Sequence, residues 1–185
     1  MTTRLNNEIA EIPDHGVREL VKAVLKECPR SFWTVPAATS GKYHPASSLG
    51  EGGLIRHTIA VCRIARHLLE LHNISGKTPL YSLVLAACLL HDCCKVPDGS
   101  KHSVHEHPLL AADLIRRVAR DMGLACPCPL STANEIAVLV ATHMGRWTTS
   151  SRSAKILPEP SSFGGMLVHT ADYLASRKDI TLVEL

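Results

Sequence analysis

The sequence predicts an all-α protein, and three observations carry that prediction. Apolar residues recur every three or four positions through six successive stretches, the pattern of helices with one buried face. No stretch of useful length alternates apolar and polar residues, as a half-buried strand would. Between the stretches stand clusters of Gly, Pro, Ser and Thr that end helices. With 185 residues and no internal repeat, the chain suits one well-buried core and is short for two domains.

Taken in order, residues 1–12 are polar overall and lack the apolar centre of a signal peptide. Val17, Leu20, Val21, Val24 and Leu25 make an amphipathic helix over 14–28 that packs on the core, outside the chemistry. Pro29 and Pro36 bracket an irregular piece containing Phe32 and Trp33. Residues 36–53, with Gly41, Lys42, Tyr43, His44 and Pro45, form a loop that either connects elements or lines the mouth of a site. After Gly52-Gly53 a long helix covers 54–71 and places His57, Val61, Ile64, Leu68 and Leu71 on one stripe. His67 falls off that stripe, and His72 stands at the helix end, where a cation suits the dipole. Residues 73–77 turn, and Thr78-Pro79 supplies an N-cap with proline at the first helical position. That apolar helix runs through Val84, Ala87 and Cys88 to His91-Asp92, and its small residues permit close approach of neighbours. Val96-Pro97-Asp98-Gly99 then ends it in a turn.

His107 sits just before Pro108 at the start of a helix reaching about 122, and His105 is the rival ligand two residues earlier. Gly123, Pro127 and Pro129 break the pattern. Thr132-Ala133-Asn134-Glu135 reads as a capping box opening a helix that delivers His143 at its C-terminal end. Residues 148–160 form a polar loop, expected to be a mobile flap. The last helix, 161–177, shares one face among Gly165, Val168, Asp172 and Ser176, with His169 one turn before Asp172. Residues 182–185 make a short tail with no assigned role.

Composition narrows the classes. Apolar residues at 45% and charged residues at 20% describe a globular chain rather than a disordered one. A formal net charge of +3 is too small to imply a nucleic-acid coat by itself. The seven cysteines form an odd set without a Cys-x-x-Cys pair, and most fall inside apolar helical patterns, so reduced thiols in a cytoplasmic protein are expected. No apolar run approaches the roughly 20 residues a membrane span needs, and no membrane partner is expected. Eleven histidines remain to be allocated.

The chemistry starts at His91-Asp92, a polar pair closing an apolar helix. Polar groups taken from water need partners, and a divalent cation supplies one for both imidazole and carboxylate. Four other predicted helices each offer one further donor: His57, His107, His143 and Asp172. One such residue would suit a satisfied core histidine. Five helices each presenting a donor point to a metal centre.

This pattern resembles the HD-domain superfamily of metal-dependent phosphohydrolases, named for the doublet seen here as His91-Asp92. The likeness runs from about Tyr43 to Arg177. It is carried by Gly-Gly-Leu-Ile-Arg-His57-Thr, Leu-Leu-His91-Asp92-Cys-Cys-Lys95, His107-Pro-Leu-Leu-Ala-Ala, Thr-His143-Met-Gly-Arg-Trp and His169-Thr-Ala-Asp172-Tyr-Leu-Ala-Ser-Arg177. The two additional histidines resemble the branch that holds two metals. The closing segments are similar to HD modules of some 3′–5′ exoribonucleases and of bacterial dinucleoside-tetraphosphate hydrolases. The resemblance implies an HD-domain helical bundle over 1–185, with a core at 43–177 and an N-terminal extension, 1–42. It implies that His57, His91, Asp92 and Asp172 hold a first metal, and that bridging Asp92 with His107 and His143 holds a second.

The expected cofactors are thus two divalent ions, drawn from iron, manganese, cobalt, zinc, nickel or magnesium. Such a pair lowers the pKa of a bridging water and neutralises phosphoryl charge. A metal-bridged hydroxide would then cleave a phosphoester or phosphoanhydride in a small phosphorylated substrate, a nucleotide or short oligonucleotide, with nucleic-acid ends also fitting. Asp92 and Lys95 are the catalytic candidates. Lys95, one turn beyond His91, also matches the family lysine that binds substrate phosphate. Arg146 and Arg177 are candidate phosphate contacts and Trp147 a candidate base-stacking surface, with Lys42, Tyr43 and His44 as further contacts. Two alternatives use the same residues: a mixed-valent di-iron oxygenase, and a non-catalytic nucleotide-binding module.

Overall fold

The computed structural model describes residues 2–38 and 42–180. The expected tail at 182–185 and Gly41 of the loop lie outside the described residues. Among the described residues seven α-helices form the fold: α1 (Asn6–Ala10), α2 (His15–Glu27), α3 (Gly53–Leu71), α4 (Pro79–Leu90), α5 (His107–Met122), α6 (Leu130–Ala141) and α7 (Phe163–Ala175). Short 3₁₀ turns at Arg30–Trp33 and Ala46–Ser48 punctuate the stretch between α2 and α3. Among the described residues the only β-type pairing is an isolated bridge between Ser150 and Ser153.

Helix α4 is the axis of the bundle. Every residue from Ser82 to Leu90 is buried, as expected of a helix that is apolar all round. It packs against α2, α3, α6 and α7, while α5 lies on α6 and α3 lies on α7. Ala86, Ala87 and Cys88 are fully buried there, where their small side chains let the neighbours approach. The C-terminal end of α4 is therefore the point to which the surrounding helices converge.

Local chemistry explains several boundaries. Asp14 caps α2 by accepting from the Val17 N–H at 2.8 Å, and Ser162 caps α7 by accepting from Gly165 at 3.1 Å. At Gly53 an added Cβ would stand 2.3 Å from the Ser48 carbonyl oxygen, so only glycine admits the loop against the start of α3.

Three sequence expectations need correction, and one polar stretch packs more deeply than its composition suggests. The capping box at Thr132 does not form, because α6 already begins at Leu130 with Pro129 in the N-cap position. Thr132 is thus inside the helix, where its side chain cannot cap. Thr78 does precede α4, but its side chain makes no capping bond. The α3 stripe ends early: Leu71 is 73% exposed while Leu69 is fully buried. A heptad spacing drifts against the 3.6-residue turn, and by the end of α3 the buried face has moved round to Leu69. Finally, the polar N-terminal stretch carries Leu5, Ile9 and Ile12 into the core. Arg18 holds that segment down by donating to the Ile12 and Pro13 carbonyls at 2.5 and 2.9 Å.

Candidate metal centre

His91 is the C-cap of α4, and Asp92 follows it in the turn; both are essentially buried. His57 comes from the first turns of α3, His107 from the first position of α5, His143 from the turn after α6, and Asp172 from the last turn of α7. The structure brings all six together. His57 Nε2 stands 3.0 Å from Asp172 Oδ1, and His91 Nε2 stands 3.7 Å from that same oxygen and 3.5 Å from Asp92 Oδ2. Across Asp92, Oδ1 faces His107 Nε2 at 3.0 Å and His143 Nε2 at 3.8 Å. Two compact donor sets result, His57/His91/Asp92 and Asp92/His107/His143, and Asp92 belongs to both.

The tautomers are locked by the backbone. His91, His107 and His143 each donate Nδ1–H to the carbonyl three residues earlier, Cys88, Val104 and Val140, all at 2.8 Å. A carbonyl only accepts, so each Nε2 is left with a lone pair aimed at the cluster. His91 Nε2 is buried without a hydrogen-bond partner. His107 and His143 bring their Nε2 atoms within 3.3 Å of one another, with Asp92 Oδ1 beside both. Acceptors facing acceptors in a buried site cost about 1–3 kcal/mol for each unsatisfied group. A cation among them turns that cost into coordination, so the donor set fits divalent metal ions.

Charge in the cluster follows from burial and proximity. Burial would raise the Asp92 carboxyl, but Lys95, His91 and His107 outweigh it and hold the group well below the usual carboxylate range. Asp172 is likewise held low against its burial by the His57 hydrogen bond and the surrounding imidazoles. His143 is pushed down to about 3 by burial and by facing His91 and His107, so it is a neutral donor. Burial would lower His91 too, but the Asp92 carboxylate prevails and raises it. Lys95 places Nζ 2.6 Å from Asp92 Oδ2 and lies at the edge of the cluster.

A cavity of about 470 Å³ opens over the cluster. Asp92, Lys95, His107, His143 and Asp172 form its floor, and Trp147 and Arg177 its wall. Arg146 does not line it: Gly145, with φ at +61°, turns the chain, and the exposed Arg146 guanidinium lies over the indole of Trp147 at 5.1 Å. Trp147 itself stacks in parallel on Tyr173, with centroids 5.6 Å apart. His105 is no donor to the cluster, because its Nε2 pairs with the Thr148 carbonyl at 3.1 Å. Tyr43 and His44 reach the wall, and Lys42 does not. In the 148–160 loop, expected to be a mobile flap, Leu157 donates to the Thr148 carbonyl at 2.8 Å and is buried, and Ser153 bonds Glu106.

Sequence reasoning assigned no role to Arg152, Tyr173 or His169, all of which line the cavity. His169 was detectable through its place one turn before Asp172. Its Nδ1–H donates to the His143 carbonyl at 2.8 Å, and an added Cβ at Gly145 would stand 2.2 Å from its Cε1. Gly145 is therefore required both by its positive φ and by that contact. Arg152 carried no signal, since nothing in a polar loop says which residue turns inward.

A helical bundle that gathers two His/Asp donor sets on one shared carboxylate defines an all-α protein built to hold divalent metal. The HD domain family profile matches residues 54–177, a span that includes all six donors, and the chain belongs to the HD domain family. That family places it in a superfamily of metal-dependent phosphohydrolases. No curated protein and no solved structure matches the chain. Among the described residues no helix is long and apolar enough to cross a membrane.

Proposed function

We propose that this chain is a metal-dependent phosphohydrolase that cleaves a phosphoester or phosphoanhydride bond in a nucleotide or short oligonucleotide. The observation that carries the reading is the shared carboxylate: Asp92 presents one oxygen to His107 and His143 and the other to His91 and Lys95, at the floor of an open cavity. His57, His91, Asp92 and Asp172 would hold one cation, and Asp92, His107 and His143 a second. Bound there, such ions supply Lewis acidity toward a phosphoryl oxygen and lower the pKa of water.

The chain's own groups support the same chemistry. Lys95 spends one N–H on Asp92 and keeps two for the oxygens of an incoming phosphate. The backbone carbonyls that hold the three Nδ1 protons keep each imidazole from rotating as substrate arrives. In the net reaction the oxygen of water bonds to phosphorus, the bond from phosphorus to the leaving oxygen breaks, and the proton of water ends on that leaving oxygen. The cavity volume suits one nucleotide.

The test is a panel of nucleotides, dinucleotides and bis(p-nitrophenyl) phosphate, assayed with manganese, cobalt or magnesium under nitrogen. The reading expects metal-dependent release of phosphate or nucleotide, lost after chelation and lost in His91→Ala and Asp92→Ala. Full activity after either change overturns it. So does an iron-specific, oxygen-consuming reaction without hydrolysis, which would favour the oxygenase chemistry instead.

A further inference from the structure

Six side chains from three separate segments form one continuous ladder along the rim of the cavity. The Arg146 guanidinium lies 5.1 Å over Trp147, Trp147 stacks on Tyr173, and Arg177 lies 4.6 Å over Tyr173. Arg177 also lies 5.3 Å over Tyr43, whose other contact is Lys42 at 5.0 Å. The rungs thus run cation, aromatic, aromatic, cation, aromatic, cation. The segments are pinned in place: Lys178 N–H donates to the Tyr43 carbonyl at 2.7 Å, and Gly145 lets the Trp147 turn close over His169.

Two features of the ladder are unexplained by packing. Its three cations make no salt bridge with any carboxylate among the described residues, and Arg177 Nε is buried without a hydrogen-bond partner. Its four inner rungs line the cavity, but both ends, Arg146 and Lys42, lie beyond the cavity wall. A mononucleotide seated over the cluster needs only the inner rungs. Outer cations flanking planar rings suit a ligand with further phosphates and further bases.

We propose that this rim binds single-stranded nucleic acid, so that the substrate is an oligonucleotide whose neighbouring nucleotides lie along the ladder. The proposal rests on the phosphohydrolase reading above and deepens it. Trp147, 42% exposed, offers a base the indole face that Arg146 now covers, and Arg146 moves from that face to a phosphate. Arg177, whose unpaired Nε–H is buried in this arrangement, turns outward to a second phosphate, and Lys42 meets a third.

The experiment measures binding of phosphorothioate oligothymidylates, which resist hydrolysis, to the full metal-loaded chain by tryptophan fluorescence. Trp33 is buried, so quenching reports Trp147. A pentanucleotide should bind at least about tenfold more tightly than a dinucleotide. Its log affinity should fall with log salt by about 0.7 per phosphate engaged. The pentanucleotide-to-dinucleotide ratio should collapse toward one in the Lys42→Glu/Arg146→Glu double variant, a ratio from which any common loss cancels. Equal affinity at both lengths overturns the proposal, as does equal displacement by polyglutamate, which would mark a surface for acidic peptides. Either failure, with bis(p-nitrophenyl) phosphate still hydrolysed, leaves the phosphohydrolase reading standing. Absence of hydrolysis across the whole panel of nucleotides, dinucleotides and bis(p-nitrophenyl) phosphate, with length-dependent binding intact, removes that reading alone.

Discussion

At the scale of single residues, the centre is governed by where protons sit. His91 shares its surroundings with Asp92 and Asp172, and their charge raises its pKa despite full burial. A metal needs the Nε2 lone pair, and protonation of the ring would occupy it, so proton and metal compete for that nitrogen. The sign follows: below the raised pKa of His91 the proton competes and metal affinity falls, and above it the competition ends. Metal titration by calorimetry should show weaker binding near about pH 6 than near about pH 8, with proton release that depends on buffer ionisation enthalpy. Affinity independent of pH across that range would contradict the arrangement. The donors were legible in the sequence because each stands on the apolar face or at the end of a predicted helix, as His57 does near the start of α3 and His107 does before Pro108. The direction of Arg146 was not, since adjacency to His143 does not reveal that Gly145 turns the chain back over Trp147.

At the scale of helices, end chemistry decides what a substitution costs. Ser162 accepts from Gly165 at the start of α7, the helix that carries Asp172. Ser162→Ala should therefore cost about 1 kcal/mol in urea unfolding. Thr132→Ala should stay within about 0.5 kcal/mol, because Thr132 lies inside α6 and caps nothing. The reverse order would mean that α6 starts where the Thr-x-x-Glu pattern suggested. That pattern misled because two residues before it are already helical and Pro129 takes the cap position. The existence of the six longer helices was readable from periodicity. Which residue ends each buried face, Leu69 or Leu71, depends on neighbours that periodicity does not encode.

At the scale of the molecule, one core runs from the N-terminal Leu5 through α4 to Ala175 of α7, and it buries thiols along with aliphatics. Burial pushes Cys28 up to about 12 and Cys62 higher still, from an ordinary value near 9. Below about pH 9 neither the folded nor the unfolded chain is ionised at these sites, and their contribution is fully present. Above it the unfolded chain sheds protons that the folded chain keeps, so stability falls with rising pH by about 1.4 kcal/mol per unit for each thiol. Urea unfolding between about pH 8 and pH 10.5 should show this decline, and Cys28→Ala should flatten its slope by about one proton. A slope unchanged in that variant would place Cys28 in water. The N-terminal packing was missed on other grounds: Leu5, Ile9 and Ile12 do stand at helical spacing, but the stretch is short and polar overall, which hid that all three reach the core.

The centre as a whole depends on Asp92 being shared. Elemental analysis of the purified chain after metal loading and desalting, set beside Asp92→Asn and Asp172→Asn, tests this most directly. The account predicts up to two divalent ions in the parent chain, loss of both in Asp92→Asn, and retention of the His107/His143 ion in Asp172→Asn. A parent chain that holds no metal, or an Asp92→Asn chain that keeps its full complement, would contradict it.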